Sequence, residues 1–207
     1  MVSYEEGAVS LLDIFALATD EELEAGRGWY VGAHVEALSL AATYEIPLKK
    51  ACGVLAVLSP SQSWNINVVA AHKCLLAWQK GDENPPHGPY YPNNGRKAFS
   101  LLSQAVKPPF EGILHGPKVE AFYECIFNPL TTERVCVDGH AICAYLGERK
   151  PIHSHFGGEH GAIQRSRSRM AEVEGVYRDC ALSLGLRPCQ FQAVVWLVWR
   201  RLYGITR

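Results

Sequence analysis

Apolar residues recur at helical spacing along most of the chain, and few stretches alternate as strands do. In residues 31–44 (VGAHVEALSLAATY) the apolar positions fall three and four apart, which predicts an amphipathic helix. Residues 48–58 (LKKACGVLAVL) are almost continuously apolar, which predicts a buried helix. The same reasoning places further helices at residues 8–18, 65–80, 96–106, 117–127, 138–146, 170–184 and 188–203. We therefore expect an all-α protein of about nine or ten helices.

Two polar stretches interrupt this pattern and are expected to be surface loops. Residues 81–95 (GDENPPHGPYYPNNG) are rich in Pro, Gly and Asn, and residues 148–168 are rich in His, Gly and Arg. No internal repeat is visible. We expect a single domain over residues 1–207, with an acidic helical segment at 1–24.

The composition narrows the class of protein. The chain has 207 residues, of which 48% are apolar, so it is neither disordered nor of low complexity. It has no apolar run long enough for a membrane span, and its acidic N-terminus resembles no signal peptide. The seven Cys lack disulfide spacing, which indicates a reducing compartment and thiols packed as small apolar groups. These are Cys52, Cys74, Cys125, Cys136, Cys143, Cys180 and Cys189. We expect a cytoplasmic globular protein.

The charge is unevenly distributed. The whole chain has 20 basic and 21 acidic residues, a net charge of −1. Residues 1–24 contain seven of the acids and no base, so the remaining 183 residues carry 20 basic against 14 acidic groups, a balance of +6. This excess is compatible with a polyanionic partner.

The segment with the most distinctive chemistry is Ile113–Val119 (ILHGPKV), followed after a helix by Val135–His140 (VCVDGH). The first part predicts a helix, a tight turn and a second helix beginning at Pro117, whose first N–H groups suit a phosphate. Lys118 lies in the first turn of that helix, where the dipole disfavours the ammonium, so it is a candidate nucleophile. Asp138 follows an apolar stretch and is expected to start the next helix.

Three further segments accompany this one: residues 57–65 (VLSPSQSWN), Lys97–Ala98, and residues 191–196 (FQAVVW). Together with the two segments above, they resemble motifs of the helix-hairpin-helix (HhH-GPD) DNA glycosylase superfamily. In chain order these motifs are an L-S-x-Q-x-x-D/N turn, a helix before the hairpin, the L-x-G-x-G-x-K hairpin itself, a V-D-x-H sequence, and the Q-A-V-L-F helix of the 8-oxoguanine glycosylase branch. The resemblance covers residues 50–200. It implies a two-lobed helical fold with the active-site cleft between the lobes.

The resemblance also implies roles for individual residues. Lys118 would attack the sugar C1′, Asp138 would support departure of the base, and His140 would assist proton transfer. Phe122 and Trp196 would enclose the flipped base, while Gln192 would read its edge. DNA contacts are expected from Gln62, Ser63, Trp64, Asn65, His115, Gly116, Arg165, Arg167 and Arg169.

The implied activity is excision of a modified or damaged base from double-stranded DNA, with AP-lyase activity if Lys118 forms a Schiff base. No cofactor, metal, membrane or obligate protein partner is expected. The implied location is the nucleoid of a bacterial or phage-infected cell.

The sequence departs from the family pattern in two places. The hairpin is about two residues shorter than usual and has one Gly. Some members of the family bind an iron–sulfur cluster through four Cys near the C-terminus, but only Cys180 and Cys189 lie there, which is too few for a cluster. A G-P-K hairpin also resembles a phage group that includes the α-glutamyl/putrescinyl thymine pyrophosphorylase families. A base-hypermodifying enzyme on the same fold is therefore one alternative, and a non-catalytic helical DNA-binding module is another.

The residues HSHFGGEH (153–160) also raise the question of a metal site. Their H-x-H spacing and Glu159 are compatible with metal binding. A fourth ligand at a recognisable spacing is missing, and a polar loop near DNA explains the same residues. We therefore expect no metal here.

Overall fold

The computed structural model describes residues 3–103, 110, 112–150 and 157–205, and within these ranges all regular secondary structure is helical. No described residue belongs to a strand. The all-α prediction is confirmed. The helices are α1 (Tyr4–Ala16), α2 (Asp20–Thr43), α3 (Leu48–Leu58), α4 (Trp64–Gln79), α5 (Pro92–Ser103), α6 (Pro117–Phe127), α7 (Gly139–Leu146), α8 (Gly158–Gln164), α9 (Arg167–Ser183) and α10 (Pro188–Leu202).

Several helix bounds differ from the predictions, and one helix, α8, was not predicted. The helix predicted over 31–44 begins at Asp20, because Thr19 and Glu22 exchange side-chain-to-backbone hydrogen bonds that satisfy the helix start. Helix α5 begins at Pro92, inside the predicted loop 81–95. Helix α8 lies inside the predicted loop 148–168, where burial of His160 and Ile163 compensates for its polar sequence.

The described chain divides into two compact units. The first contains the described residues of Met1–Val31 and Asn128–Thr206, and the second contains Gly32–Phe127. Helix α2 therefore begins in the first unit and ends in the second.

The core of the first unit forms where α1, α7 and α9 pack on α10. Phe191 of α10 stacks on Phe15 of α1 with ring centroids 5.1 Å apart, and Leu11 and Trp199 are almost fully buried nearby in the same core. Helix α8 packs on α7 and α9. These contacts fix the N-terminal end of α7, where Asp138 lies.

The second unit is organised around α3, which packs on α4, α5 and α6. Its residues Ala51–Leu58 are all buried, so the prediction of a buried helix at 48–58 is confirmed. Gly53 allows α5 to approach closely, since a Cβ atom there would lie 2.5 Å from Leu101 Cδ1.

All seven Cys are buried and unbridged, as expected for thiols that pack as small apolar groups. Burial raises the pKa of Cys52 and of Cys74 to about 12, so both stay protonated at neutral pH. None of the described helices combines the length and the apolar composition needed to cross a bilayer.

Candidate functional site

Lys118 lies where the sequence placed it, in the first turn of α6, which begins at Pro117. Its half-buried side chain reaches the C-terminal end of α3, where Nζ donates a 3.1 Å hydrogen bond to Ser59 Oγ. Ser59 is 8% exposed, and its hydroxyl donates to the Ala56 carbonyl at 2.9 Å. That bond turns an oxygen lone pair of Ser59 towards the ammonium, so Lys118 is held in a defined position.

Two aromatic rings border this lysine. The Phe122 ring, one turn later on α6, lies with its centroid 5.5 Å from Lys118 Nζ. Trp64, the first residue of α4, meets Phe122 edge to face, with ring centroids 6.4 Å apart. The predicted nucleophile, one predicted base-binding residue and the predicted DNA-contacting turn are thus neighbours within the second unit.

The turn between α3 and α4 is held in an unusual conformation by its own polar groups. Ser61 has a φ of 66°, and its hydroxyl lies 3.1 Å from the Tyr91 hydroxyl. Gln62 donates through Nε2 to the Leu58 carbonyl at 2.5 Å, while its buried Oε1 has no donor in the described part of the chain. Ser63 caps α4 without a side-chain bond, and Asn65 is exposed.

Asn67 was missed by the sequence reading. It is 1% exposed, and its Nδ2 donates to the Leu55 carbonyl at 2.9 Å, which ties α4 to α3 behind the turn. Burial of an Asn among apolar neighbours cannot be recognised from its position in the sequence alone.

The segment before α6 is a turn in the residues that the structure describes, rather than the predicted helix. Ile113 and Leu114 both donate to the Phe110 carbonyl, and Gly112 and Gly116 have φ values of 81° and 100°. These conformations suit glycine and end any helical run. Residues 104–106 of the helix predicted over 96–106 lie outside the described ranges, as do residues 107–109 and 111.

The turn before α6 also satisfies one of the N–H groups predicted to bind phosphate. Gly116 N–H donates to the Glu120 carboxylate at 3.2 Å, so an anion would have to displace that carboxylate. His115 next to it is exposed.

Asp138 is the N-cap of α7, as predicted. Its Oδ1 accepts the Ala141 N–H at 2.8 Å, and Oδ2 has no donor among the described residues. The carboxylate is partly exposed, and His140 beside it is also partly exposed. Asp138 and His140 belong to the first unit, whereas Lys118 belongs to the second.

Gln192 and Trp196 of α10 contact Tyr30 and Trp29 of α2, which the sequence did not indicate as site residues. Gln192 is buried, and its Oε1 accepts a 2.9 Å hydrogen bond from the Tyr30 hydroxyl. Trp196 meets the edge of Trp29 at 6.1 Å, and the Arg200 guanidinium lies 4.5 Å from its ring centroid. Phe122, the third predicted base-binding residue, belongs to the other unit.

The arginines predicted to contact DNA lie at the junction of α8 and α9. Arg165 and Arg167 are exposed, whereas Arg169 forms an ion pair with Glu159 at 3.2 Å. His160 is fully buried, and the hydrogen bond of its Nε2 to the Gly139 carbonyl is 2.8 Å long. His153 and His155 fall outside the described ranges, and no three potential metal ligands cluster among the residues within them.

Comparison with known families gives one match, which covers residues 2–202 and is described as a family of unknown function, DUF7178. The chain belongs to the DUF7178 family. No curated protein and no solved structure matches it.

Two places in this DUF7178 chain present reactive groups in a defined geometry. One is the lysine site of the second unit, formed by Lys118, Ser59, Phe122 and Trp64. The other is the capped carboxylate of Asp138. An oriented amine beside aromatic rings and an anchored carboxylate suit nucleophilic attack and stabilisation of developing positive charge.

Proposed function

We propose that this protein is a DNA glycosylase of the helix-hairpin-helix type, which flips a modified or damaged base out of the duplex and excises it. The observation that carries the proposal is the position of Lys118. Its amine is half-buried, fixed on Ser59 and bordered by Phe122, directly beside the turn that begins α4. A solvated surface lysine would have none of these constraints.

The lysine site supports covalent chemistry at a sugar carbon. After losing a proton, the Lys118 amine forms a bond to C1′ while the bond between C1′ and the base nitrogen breaks. The base leaves with the electron pair and takes up a proton. The resulting adduct opens to a Schiff base, from which AP-lyase cleavage follows.

The Asp138 carboxylate supports the same reaction by electrostatics. Because Oδ1 is fixed by the Ala141 N–H, the carboxylate has a defined orientation and Oδ2 is left for the substrate. An anchored negative charge near C1′ stabilises the oxocarbenium character that develops as the base departs.

Aromatic and amide side chains fit the handling of an extruded base. Flipping costs a few kcal/mol in lost stacking, which an inserted side chain offsets. Trp64 and Gln62 are the candidates for filling the gap, and Trp196 and Gln192 are those for holding the base. The Tyr30 hydroxyl fixes Oε1 of Gln192, so the amide is oriented before any base arrives.

Borohydride trapping tests the role of Lys118. Duplexes that carry single modified bases, among them 8-oxoguanine and hydroxymethylated or glycosylated pyrimidines, are incubated with the protein and reduced. We expect a covalent protein–DNA adduct with at least one duplex, its loss in Lys118→Ala, and its retention in the control Lys97→Ala. An adduct that persists in Lys118→Ala would overturn the assignment of the nucleophile.

A further inference from the structure

The segment that leads into α7 has no regular secondary structure although it is buried. Val135, Cys136 and Val137 are at most 5% exposed. Buried backbone groups outside helices and sheets need partners from elsewhere in the protein. The partners of this segment therefore determine where its last residue, Asp138, is held.

Glu174 of α9 supplies one of these partners. It is 8% exposed, and its Oε1 accepts both the Val135 N–H at 2.9 Å and the Arg134 Nε–H at 2.7 Å. Arg178, one turn later, places a guanidinium nitrogen 3.9 Å from the same oxygen. One buried carboxylate thus fixes the backbone three residues before Asp138.

Two further buried polar side chains hold the backbone just after Asp138. The Tyr177 hydroxyl, fully buried on α9, donates to the Ala141 carbonyl at 3.0 Å. Burial, and to a lesser degree the charge of Asp138, raises the pKa of Tyr177 well above its ordinary value, so the hydroxyl remains a donor. His160 of α8 lies 2.8 Å through Nε2 from the Gly139 carbonyl, and because a carbonyl can only accept, Nε2 carries the proton.

We infer that three buried polar side chains from α8 and α9 are positioning residues that orient the Asp138 carboxylate. They are His160, Glu174 and Tyr177. The inference rests on the proposed function, since it assigns these groups to the geometry of a carboxylate that acts on substrate. Buried polar and ionic groups are often replaceable by apolar ones without loss of stability. Three of them, directed at residues 135, 139 and 141 on both sides of one carboxylate, are explained by a requirement for precise orientation.

Removal of the Tyr177 hydroxyl tests the inference through activity. We expect Tyr177→Phe to lower kcat for base release about 10-fold with KM unchanged, because the carboxylate is misplaced while DNA binding is intact. The matched control is Tyr145→Phe, which removes a hydroxyl bonded to the Ser3 carbonyl from a residue near the other end of α7. Tyr145→Phe should keep kcat within about twofold of the unsubstituted protein. If it lost as much kcat as Tyr177→Phe, both losses would be general structural effects and the positioning role of Tyr177 would be contradicted.

Substitutions at Glu174 provide a second activity test. Glu174→Gln keeps an oxygen for the Val135 N–H, whereas Glu174→Leu keeps the approximate volume and removes the acceptor. We expect most of kcat to survive in the Gln variant and to fall about 10-fold in the Leu variant. Equal activity of the two folded variants would contradict a positioning role for Glu174.

Hydrogen exchange separates failure of this inference from failure of the proposed function, because it needs no substrate. The Ala141 amide proton is bonded to Asp138 Oδ1, so its exchange rate reports how firmly that carboxylate is held. We expect about 10-fold faster exchange at Ala141 in Tyr177→Phe and in Glu174→Leu, and no change in Tyr145→Phe. Unchanged exchange would overturn the inference, whereas faster exchange in a protein that releases no base would leave the geometry standing and reject the proposed function.

Discussion

Asp138 has a structural role as the cap of α7 and a proposed chemical role in base release, and substitution can separate the two. Its Oδ1 caps α7, and Oδ2 has no donor in the described part of the chain. Asn caps helices about as well as Asp, whereas Ala does not. Stability and base release should therefore respond differently to the two replacements.

We predict that Asp138→Ala lowers the free energy of unfolding by about 1 kcal/mol and that Asp138→Asn lowers it by much less. Urea denaturation measures both values. Ser3→Ala, which removes the cap of α1, is the matched control and should destabilise by a similar amount while base release continues. Equal stability losses in the Asn and Ala variants of Asp138 would show that the capping bond contributes little.

For single residues, the sequence predicts the place within a helix better than it predicts the hydrogen-bond partner. The helix starts at Pro117 and Asp138 follow from local rules for prolines and N-caps. The bond between Tyr30 and Gln192 joins residues 162 positions apart, and nothing in the local pattern around either of them indicates it. The same holds for the Ser59 hydroxyl, which receives Lys118 from 59 positions away.

At the level of helices, α2 offers a matched pair of glycines. A Cβ atom at Gly26 would lie 2.4 Å from Val194 Cγ2 and 2.8 Å from the Val194 backbone, whereas one at Gly28 would have no atom within 4 Å. Close packing of α2 against α10 therefore requires a glycine at position 26 and not at position 28.

We predict that Gly26→Ala destabilises the protein by about 1–3 kcal/mol through overpacking. Gly28→Ala should stabilise it by about 0.5–1 kcal/mol, because Ala is the better helix former at an exposed position. Thermal and urea unfolding of the two variants measure the difference. A neutral Gly26→Ala would mean that α2 and α10 can separate slightly without loss of packing.

The sequence predicts a helix well where apolar residues run through its whole length, and poorly where the helix depends on tertiary contacts. Helix α3 matches its predicted bounds because its apolar run is continuous and its ends carry Pro47 and Ser59. Helix α8 has a polar, Gly-containing sequence, and its burial against α7 and α9 is what makes it helical. Such burial is a property of the folded chain and leaves no periodic signal.

Across the molecule, an ion pair joins segments distant in sequence and makes stability depend on pH. Arg201 donates to the Glu22 carboxylate at 2.8 Å and to the Leu17 carbonyl, so α10 is tied to the junction of α1 and α2. The hydrogen bond from Arg201 is the main cause that lowers the pKa of Glu22 below its ordinary value of 4.5, and the Thr19 N–H adds to it. The folded state therefore favours the ionised form of Glu22.

The resulting stabilisation is present above about pH 4.5 and is lost as the pH falls through the lowered pKa of Glu22. We predict that Glu22→Gln destabilises the protein at pH 7 by less than about 1 kcal/mol, since the arginine is partly exposed. The difference from the unsubstituted protein should shrink towards pH 3. Urea titrations at both pH values measure it, and a difference that does not change with pH would rule out an ionic contribution.

The most direct test of the proposed base excision is mass spectrometry of the products formed from a panel of modified duplexes under single-turnover conditions. We expect a free base from at least one duplex and, in Asp138→Asn, release at least about 100-fold slower in a protein of nearly unchanged stability. Full base release by Asp138→Asn would contradict the mechanism. DNA that is bound but returned unchanged would indicate a binding module, and a base that stays attached with an altered mass would indicate a base-modifying enzyme.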